Sequence, residues 1–219
     1  MFPLFKYSRR KTSLLIFSLL LVTSGTYLLL SSGFSTNNNT LQSGDIIFQS
    51  SELGQSKAVQ LATHSIYSHC GIIFIENNEA LVYEAVGPVI STPLKEWIRH
   101  GTNNQYVVRR LKNASIVLQP AVLTKMKSEC KKYLGKSYDL YFGWSDDKIY
   151  CSELVWKIYK QGANIEVGKL QKLKEFDLTS LAVKEKLKER YGAKIPLEEI
   201  VVSPQGIFDS ELLITVEEQ

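Results

Sequence analysis

Hydrophobic residues recur with two different spacings along residues 41–219, and together these spacings predict a mixture of strands and helices. Short apolar or alternating runs rich in Val, Ile, Phe and Tyr predict strands at residues 44–49, 68–75, 80–86 and 106–111, with weaker signals at 200–203 and 212–216. Apolar residues three and four positions apart predict helices at residues 54–63, 93–100, 120–134, 150–161 and 179–191. Because strands and helices do not alternate regularly, the pattern favours an α+β fold over a parallel α/β fold.

A tight hairpin is predicted between the second and third strands. Asn77 and Asn78 separate the two strands, and asparagine tolerates the positive φ that a two-residue turn requires. With such a turn, the numbers of opposing residues add up to 155, so that Glu84 faces Gly71. A three-residue turn would shift this register.

The register places a histidine and a carboxylate on one face of the hairpin. His69 and Gly71 share a face because side chains alternate along a strand, and Glu84 lies opposite Gly71. Gly71 leaves the space between the two longer side chains open. The face is otherwise apolar, so a buried Glu84 needs a partner, and the imidazole of His69 is the nearest one.

A cysteine begins the predicted helix at residues 150–161. The partial positive charge of a helix N-terminus favours the thiolate of Cys151, and a neighbouring imidazole would favour it further. If His69 meets this thiol, the set is nucleophile Cys151, base His69 and orienting carboxylate Glu84. The free backbone N–H of Cys151 or Ser152 could then donate to an oxyanion. The 82 residues between His69 and Cys151 mean that spacing alone does not establish their contact.

Each of these residues also has an ordinary structural interpretation. Cys151 could be a small core residue, and His69 a hydrogen-bonded residue at a strand end. Strand alternation predicts that Cys70 points to the opposite face from His69 and belongs to the core. A bridge between Cys70 and Cys130 stays open. The three histidines and three cysteines lack metal-ligand spacing, so we expect neither a metal nor another cofactor.

Three aromatic residues are candidates for substrate binding. Tyr67 precedes the strand that carries His69, and Tyr138 and Trp144 lie in the aromatic loop before Cys151. They could line a groove beside the thiol. Packing of the loop is an equally good explanation.

The first 40 residues differ in composition from the rest of the chain. Four basic residues precede an uncharged stretch at residues 14–30, and a Ser/Thr/Asn-rich stretch follows at residues 31–40. This order is typical of an export signal, either cleaved or retained as a single-span membrane anchor. We therefore expect residues 1–40 to direct export to the periplasm, with possible membrane association, and residues 41–219 to form the functional domain.

The net charge gives no support for nucleic-acid binding. The formal charge of +4 comes from the basic residues of the N-terminal stretch, and the remaining chain has 22 basic and 22 acidic residues. We expect a small peptide or acyl substrate rather than a nucleic acid. The oligomeric state cannot be deduced from the sequence.

Four sequence runs resemble the permuted NlpC/P60 papain-like hydrolases. They are GDIIF at 44–48, SHCGIIF at 68–74, VYEAV at 82–86 and YCSELVWKIY at 150–159, and the similarity extends over nearly all of residues 41–219. In ordinary members the cysteine helix precedes the histidine strand, whereas here the order is reversed. The resemblance implies a circularly permuted papain-like fold, with an antiparallel sheet packed against helices and catalytic roles for Cys151, His69 and Glu84.

The resemblance also implies attack on an amide or ester carbonyl through a thioester. We expect an exported thiol hydrolase that cleaves amide bonds in small peptides such as cell-wall fragments. A hydrolase or transferase of acyl groups on lipid-like substrates is the alternative enzyme. A binding protein that retains the fold without catalysis is the alternative of a different class.

Overall fold

The computed structural model describes residues 41–51 and 54–219, and the predicted export segment lies outside them. The strands of these residues are β1 (Ile46–Gln49), β2 (His69–Glu76), β3 (Glu79–Ala85), β4 (Val89–Pro93), β5 (Val107–Leu111), β6 (Ser137–Tyr138), β7 (Lys148–Ile149), β8 (Gln171–Lys172), β9 (Ile200–Val201) and β10 (Leu213–Glu218). The helices are α1 (Ser56–Thr63), α2 (Leu94–Arg99), α3 (Ala114–Val117), α4 (Pro120–Tyr133), α5 (Cys151–Ile158), α6 (Leu181–Tyr191) and α7 (Pro204–Phe208).

Six strands form one antiparallel sheet in the order β10-β5-β1-β2-β3-β4. Side-chain alternation divides the apolar residues between its two faces. One face packs against α4 and α5 in the larger core, and its sheet residues include Ile46, Phe48, Cys70, Ile72 and Phe74. The other face forms a smaller core beneath α2, made by Ile47, Ile73, Val82, Trp97, Tyr106 and Val108. The strand β2 is therefore buried on both faces.

The hairpin has the predicted turn and register. Asn77 and Asn78 have φ values of 50° and 65°, and Ile72 pairs with Tyr83. In this pairing the numbers of opposing residues add up to 155, so the predicted two-residue turn and the predicted register are both confirmed. His69 and Glu84 consequently lie on the face of the sheet that α2 covers.

The predicted main elements are present, but several short ones were missed. β4 ends at Pro93, directly before α2, and the sequence had indicated only the helix. As an edge strand, β4 exposes Ile90, Ser91 and Pro93 and has too few apolar positions for a clear signal. The two-residue strands and the short helices α3 and α7 cover less than one period of any pattern. Within the described parts of the chain, no helix has the length and apolarity needed to cross a membrane.

Candidate active site

The first residue of α5, Cys151, lies on the wall of a cavity. Tyr150 is extended, and its carbonyl accepts the first helical hydrogen bond from Leu154 N–H at 3.0 Å. The Ser152 hydroxyl donates to the carbonyl oxygen of Val202 at 2.8 Å, which attaches the helix start to the segment after β9. Backbone N–H groups in the first turn have no partner within the helix, so those of Cys151 and Ser152 remain available.

A buried hydrogen bond joins the predicted histidine and carboxylate. Nε2 of His69 lies 2.6 Å from Oε2 of Glu84, and both side chains are almost fully buried. The other carboxylate oxygen accepts a hydrogen bond of 2.5 Å from the Thr92 hydroxyl on β4. The indole of Trp97 stacks on the imidazole with ring centroids 5.9 Å apart. These contacts hold the imidazole in one orientation.

The same imidazole interacts with the Cys151 thiol, which raises the pKa of His69 and lowers that of Cys151. Because Glu84 occupies Nε2, Nδ1 is the ring nitrogen left for sulfur. The structure therefore brings Cys151, His69 and Glu84 into one buried cluster, although 82 residues separate the first two.

Cys70 is a fully buried residue of the larger core, on the face of the sheet opposite His69, as predicted. Its interaction with the Cys151 sulfur, through both its thiol and its backbone, was not predicted. Alternation would separate consecutive side chains in mid-strand. At the beginning of β2, however, the sulfur of Cys151 is within reach of both His69 and Cys70. Cys70, Cys130 and Cys151 are all free thiols, so no bridge joins Cys70 to Cys130.

The electrostatics of this cluster favour a thiolate and an imidazolium. The Cys70 hydrogen bond lowers the pKa of Cys151 well below its ordinary value, and the bond and charge of His69 add to this against the effect of burial. Burial alone would lower the pKa of His69, but its bonds to Cys151 and Glu84 raise that pKa to about 10. Although burial opposes it, the contact with His69 lowers the pKa of Glu84. The arrangement can supply an ionised nucleophile near neutral pH.

Gly71 lies where β3 approaches β2 too closely for any side chain. A Cβ at this position would lie 2.5 Å from Cγ1 of Val82 and 2.9 Å from the carbonyl oxygen of Tyr83. Neither distance is tolerated. The prediction of an open space beside Gly71 is therefore wrong, because atoms of β3 fill the position.

Only one of the three predicted substrate-binding aromatic residues borders the space beside the thiol. Tyr138 lies there, and its hydroxyl accepts a hydrogen bond of 2.6 Å from Gln55. Tyr67 packs instead on Phe208 with ring centroids 4.4 Å apart, and Trp144 packs on Trp156 at 5.2 Å. Packing within the fold occupies both of these rings, which is the interpretation that the sequence left open.

A largely apolar cavity borders Cys151, with an empty volume of about 720 Å³ that includes its open mouth. α1, α6 and the segments before α6 and after β9 surround it. The side chains on its wall that contain no polar atom are Ala58, Val59, Ala62, Phe142, Leu173, Phe176, Leu178, Val183, Leu187, Val201, Val202 and Pro204.

Two residues of the site, Thr92 and Trp97, were not predicted. Thr92 fixes the second oxygen of Glu84, and Trp97 stacks on the imidazole. The β3–β4 pairing that places Thr92 on the same face as Glu84 involves a strand that the sequence did not indicate.

A thiol beside an oriented imidazole, on a helix packed against an antiparallel sheet, is the arrangement of the papain-like cysteine hydrolases. The sequence order, with the histidine strand before the cysteine helix, is that of a permuted member. The model of the permuted papain-like amidases, the YaeF/YiiX or C92 peptidase family, matches residues 40–217. The chain belongs to this family, and the predicted family and α+β fold are confirmed.

Two relatives show how far the similarity extends. The YiiX protein of Escherichia coli strain K12 is 57% identical over 175 residues, which cover 80% of this chain and 85% of the relative. A crystal structure of the metalloprotein YiiX from Escherichia coli O157:H7 has a TM-score of 0.78 and 55% identity. That match covers 81% of this chain and 97% of the crystallised one.

Proposed function

We propose that this chain is an exported thiol hydrolase that cleaves amide bonds through an acyl-enzyme on Cys151. The observation that carries the proposal is the buried cluster in which His69 is hydrogen-bonded to Glu84 and interacts with the Cys151 thiol. An ion pair in this position is costly to bury unless every member is hydrogen-bonded, and here Thr92 completes the set. Membership of an amidase family supports the same reaction.

The first half of the reaction forms a thioester. The Cys151 thiolate attacks the carbonyl carbon, a C–S bond forms, and the carbonyl oxygen takes the negative charge. In this proposal the backbone N–H groups of Cys151 and Ser152 donate to that oxygen. The proton of the His69 imidazolium passes to the leaving nitrogen as the C–N bond breaks, and the amine departs.

The second half releases the acid and restores the thiolate. Water gives a proton to the neutral His69 imidazole and adds to the thioester carbonyl. Collapse of the tetrahedral intermediate breaks the C–S bond and leaves the acid and the thiolate. Throughout, Glu84 stabilises the imidazolium and keeps Nδ1 directed at the sulfur.

Trapping of the acyl-enzyme tests this proposal. The full-length chain, mixed with an acyl amide and quenched in acid, should gain the mass of the acyl group on the peptide that contains Cys151. We expect no adduct with Cys151→Ala and a loss of turnover of about 10³-fold or more with His69→Ala. Cys130→Ala serves as the control with unchanged turnover. A chain that binds such amides without any turnover or adduct would instead be the non-catalytic binding protein.

The substrate that contains the cleaved amide bond belongs to one of two classes. Small peptides, including cell-wall fragments, are the expectation from the sequence. Lipid-like acyl compounds are the second candidate, and the apolar wall of the cavity beside Cys151 specifically favours an apolar acyl part.

The proposal assigns no step to a metal. The crystallised relative is described as a metalloprotein. In residues 41–51 and 54–219 of this chain, no group of three or more His, Cys, Asp or Glu side chains could hold a metal ion. Nε2 of His69 is hydrogen-bonded to Oε2 of Glu84, and Oε1 of Glu84 accepts a hydrogen bond from Thr92, so these residues do not fit a metal site.

Export to the periplasm is the second part of the proposal. It is supported by the basic residues and the uncharged stretch at residues 14–30. Cell fractionation followed by immunoblotting should find the chain in the periplasm if the signal is cleaved, or in the inner membrane fraction if it is retained. Recovery of full-length chain in the cytoplasm would contradict export.

A further inference from the structure

A second cavity lies next to the one that borders Cys151 and shares part of its wall. Its empty volume is about 1120 Å³, including its open mouth. Gln55, Tyr138, Lys186 and Arg190 line both cavities, so the two meet along these side chains. Residues 86–88, which follow β3, form another part of its wall. We call this second space the polar cavity.

Arg190 is the charged residue of this border that lacks a carboxylate partner. Its Nη2 donates to Oε1 of Gln55 at 2.5 Å, and its guanidinium lies 4.7 Å from the ring centre of Phe142. The ammonium group of Lys186, in contrast, pairs with Glu189 at 2.6 Å. Within residues 41–51 and 54–219, Arg190 forms no ion pair. The border therefore carries one positive charge that no described carboxylate contacts.

An unpaired guanidinium in this position has an electrostatic cost. The Arg190 side chain is half-buried, and burial lowers its pKa. Negative charges around it, including those of Glu189 and Asp139, offset this effect only in part because none of them is in contact. A charge that loses water without gaining a counter-ion is unfavourable. A ligand that carries an anion into the polar cavity would supply the missing counter-ion.

The free donors of the Arg190 guanidinium suit a carboxylate or a phosphate. Arginine has five N–H donors in one plane, and Arg190 uses one of them for Gln55. Among the described residues, no other protein acceptor takes a hydrogen bond from this guanidinium. Contact with the Phe142 ring limits its movement. A guanidinium held in this way can bind two oxygen atoms of one anionic group.

The chemistry of the proposed reaction assigns the polar cavity to the leaving part of the substrate. His69 gives its proton to the departing nitrogen, so the leaving group must lie on the imidazole side of the sulfur. Residues 86–88 of the polar cavity continue the chain just beyond Glu84, which holds the imidazole. The departing amine becomes a cation, and an anionic group at its other end would offset the repulsion from Arg190.

We propose that the polar cavity binds an anionic group, a carboxylate or a phosphate, on the leaving-amine part of the substrate, and that Arg190 is the residue that recognises it. This inference rests on the proposed function, since it concerns the group that departs when the acyl-enzyme forms. It makes Arg190 a specificity-determining residue for the leaving amine. The acyl part of the substrate does not enter the argument.

A series of benzoyl amides with one acyl part and different leaving amines tests the inference. The full-length chain is assayed with N-benzoyl derivatives of glycine, β-alanine and γ-aminobutyrate, which place a carboxylate at increasing distances from the amide. N-benzoyl derivatives of aminoethyl and aminopropyl phosphate place a phosphate there. The corresponding carboxamides and alcohols are the neutral partners, and chromatography measures the released benzoate.

The best anionic compound should exceed its neutral partner by at least about tenfold in kcat/KM, because a guanidinium–anion contact is a charge-assisted hydrogen bond. The difference should lie mainly in KM, since the contact is the same before and during bond cleavage.

Two variants with a matched control locate the effect at Arg190. Arg190→Gln should reduce the ratio of anionic to neutral kcat/KM to about one. Arg190→Lys keeps a positive charge without the planar fork and should retain part of the ratio. Lys188→Gln removes a positive charge from an exposed position of the same helix and should leave the ratio unchanged. Because each ratio compares two substrates on one variant, partial loss of folded protein does not affect it.

The outcomes separate this inference from the proposed function. A preference for carboxylate identifies an amino acid or peptide as the leaving part, and a preference for phosphate identifies a phosphate ester; either result supports the inference. A ratio near one in the wild type, or a ratio that Arg190→Gln does not change, overturns it and leaves the amidase proposal standing. Failure of the whole series, when another acyl amide forms an adduct on Cys151, overturns it as well. If no acyl amide is cleaved and no adduct forms on Cys151, the proposed function itself is wrong.

Discussion

The thiol of Cys70 is the clearest example of an effect that operates between single residues. It is the largest of the contributions that lower the pKa of Cys151, ahead of the bond and charge of His69. Burial and the negative charge of Cys151 raise the pKa of Cys70 itself well above its ordinary value. Two adjacent thiols are thus differentiated, because the buried donor stays protonated and the acceptor at the helix start carries the charge.

Replacement of Cys70 should weaken the nucleophile without removing it. With Cys70→Ala, Cys151 loses a hydrogen-bond donor, so its apparent pKa should shift upward and kcat/KM at pH 6 should fall roughly threefold to tenfold. At high pH, where the thiolate forms in any case, the difference should shrink. The pH profile of kcat/KM measures both effects. Cys130→Ala removes an equally buried thiol from the core and should leave the profile unchanged; an identical loss in both variants would point to a general packing defect.

The β2–β3 hairpin shows how one secondary-structure element determines the site geometry. Two asparagines with positive φ set the register, and the register brings His69 and Glu84 to the same face. β3 can lie this close to β2 because no side chain projects from Gly71. The register could be predicted from the sequence, because turn length and alternation determine it together.

A methyl group at position 71 should separate the histidine from the carboxylate. In Gly71→Ala the new Cβ meets Val82 and the Tyr83 carbonyl, so β3 must shift. We expect a loss of about 1–3 kcal/mol in the free energy of unfolding and a decrease of more than about tenfold in kcat. Chemical denaturation and steady-state kinetics measure the two. In Gly143→Ala the nearest atom would be 3.4 Å away, so this control should show neither effect. Wild-type kcat in Gly71→Ala would contradict the role given to the hairpin.

The helix α5 carries a second ionisable group whose titration should affect stability. Burial raises the pKa of Glu153 from 4.5 to about 7, although the ion pair with Lys157 at 2.8 Å opposes the shift. Between these two pH values the folded chain retains a proton that the unfolded chain has lost, so stability decreases as pH rises. The slope is about 1.4 kcal/mol per pH unit for one group.

Glu153→Gln should reduce this pH dependence, because an amide does not titrate. Between pH 5.5 and pH 7, the free energy of unfolding measured in urea should fall by about 2 kcal/mol more for the wild type than for the variant. Glu166→Gln changes an exposed carboxylate and should retain the wild-type dependence. If Glu153→Gln also retains it, Glu153 is ionised throughout this range and burial does not control its pKa.

At the scale of the whole molecule, the sequence predicted the fold class, the main elements and the pairing of His69 with Glu84, but not the contact of His69 with Cys151. Periodicity and turn chemistry are local, and they identified α5 and the hairpin. The meeting of Cys151 with His69 depends on how α5 packs on the sheet, which no local pattern encodes. The same limit explains why the roles of Cys70 and Thr92 and the cavity beside Cys151 were not predicted. The predicted export segment lies outside the described residues and stays a prediction.

The central claim is that His69 activates Cys151, and the pH dependence of alkylation tests it most directly. The full-length chain is treated with iodoacetamide between pH 4 and 10, and the modification rate of the peptide containing Cys151 is measured by mass spectrometry. Burial raises the pKa of Cys130, so that thiol should react slowly throughout. We predict that Cys151 reacts with an apparent pKa well below about 8.5, the value of an ordinary thiol, and that His69→Ala shifts it upward. An apparent pKa near 8.5 that is the same in His69→Ala would contradict the account.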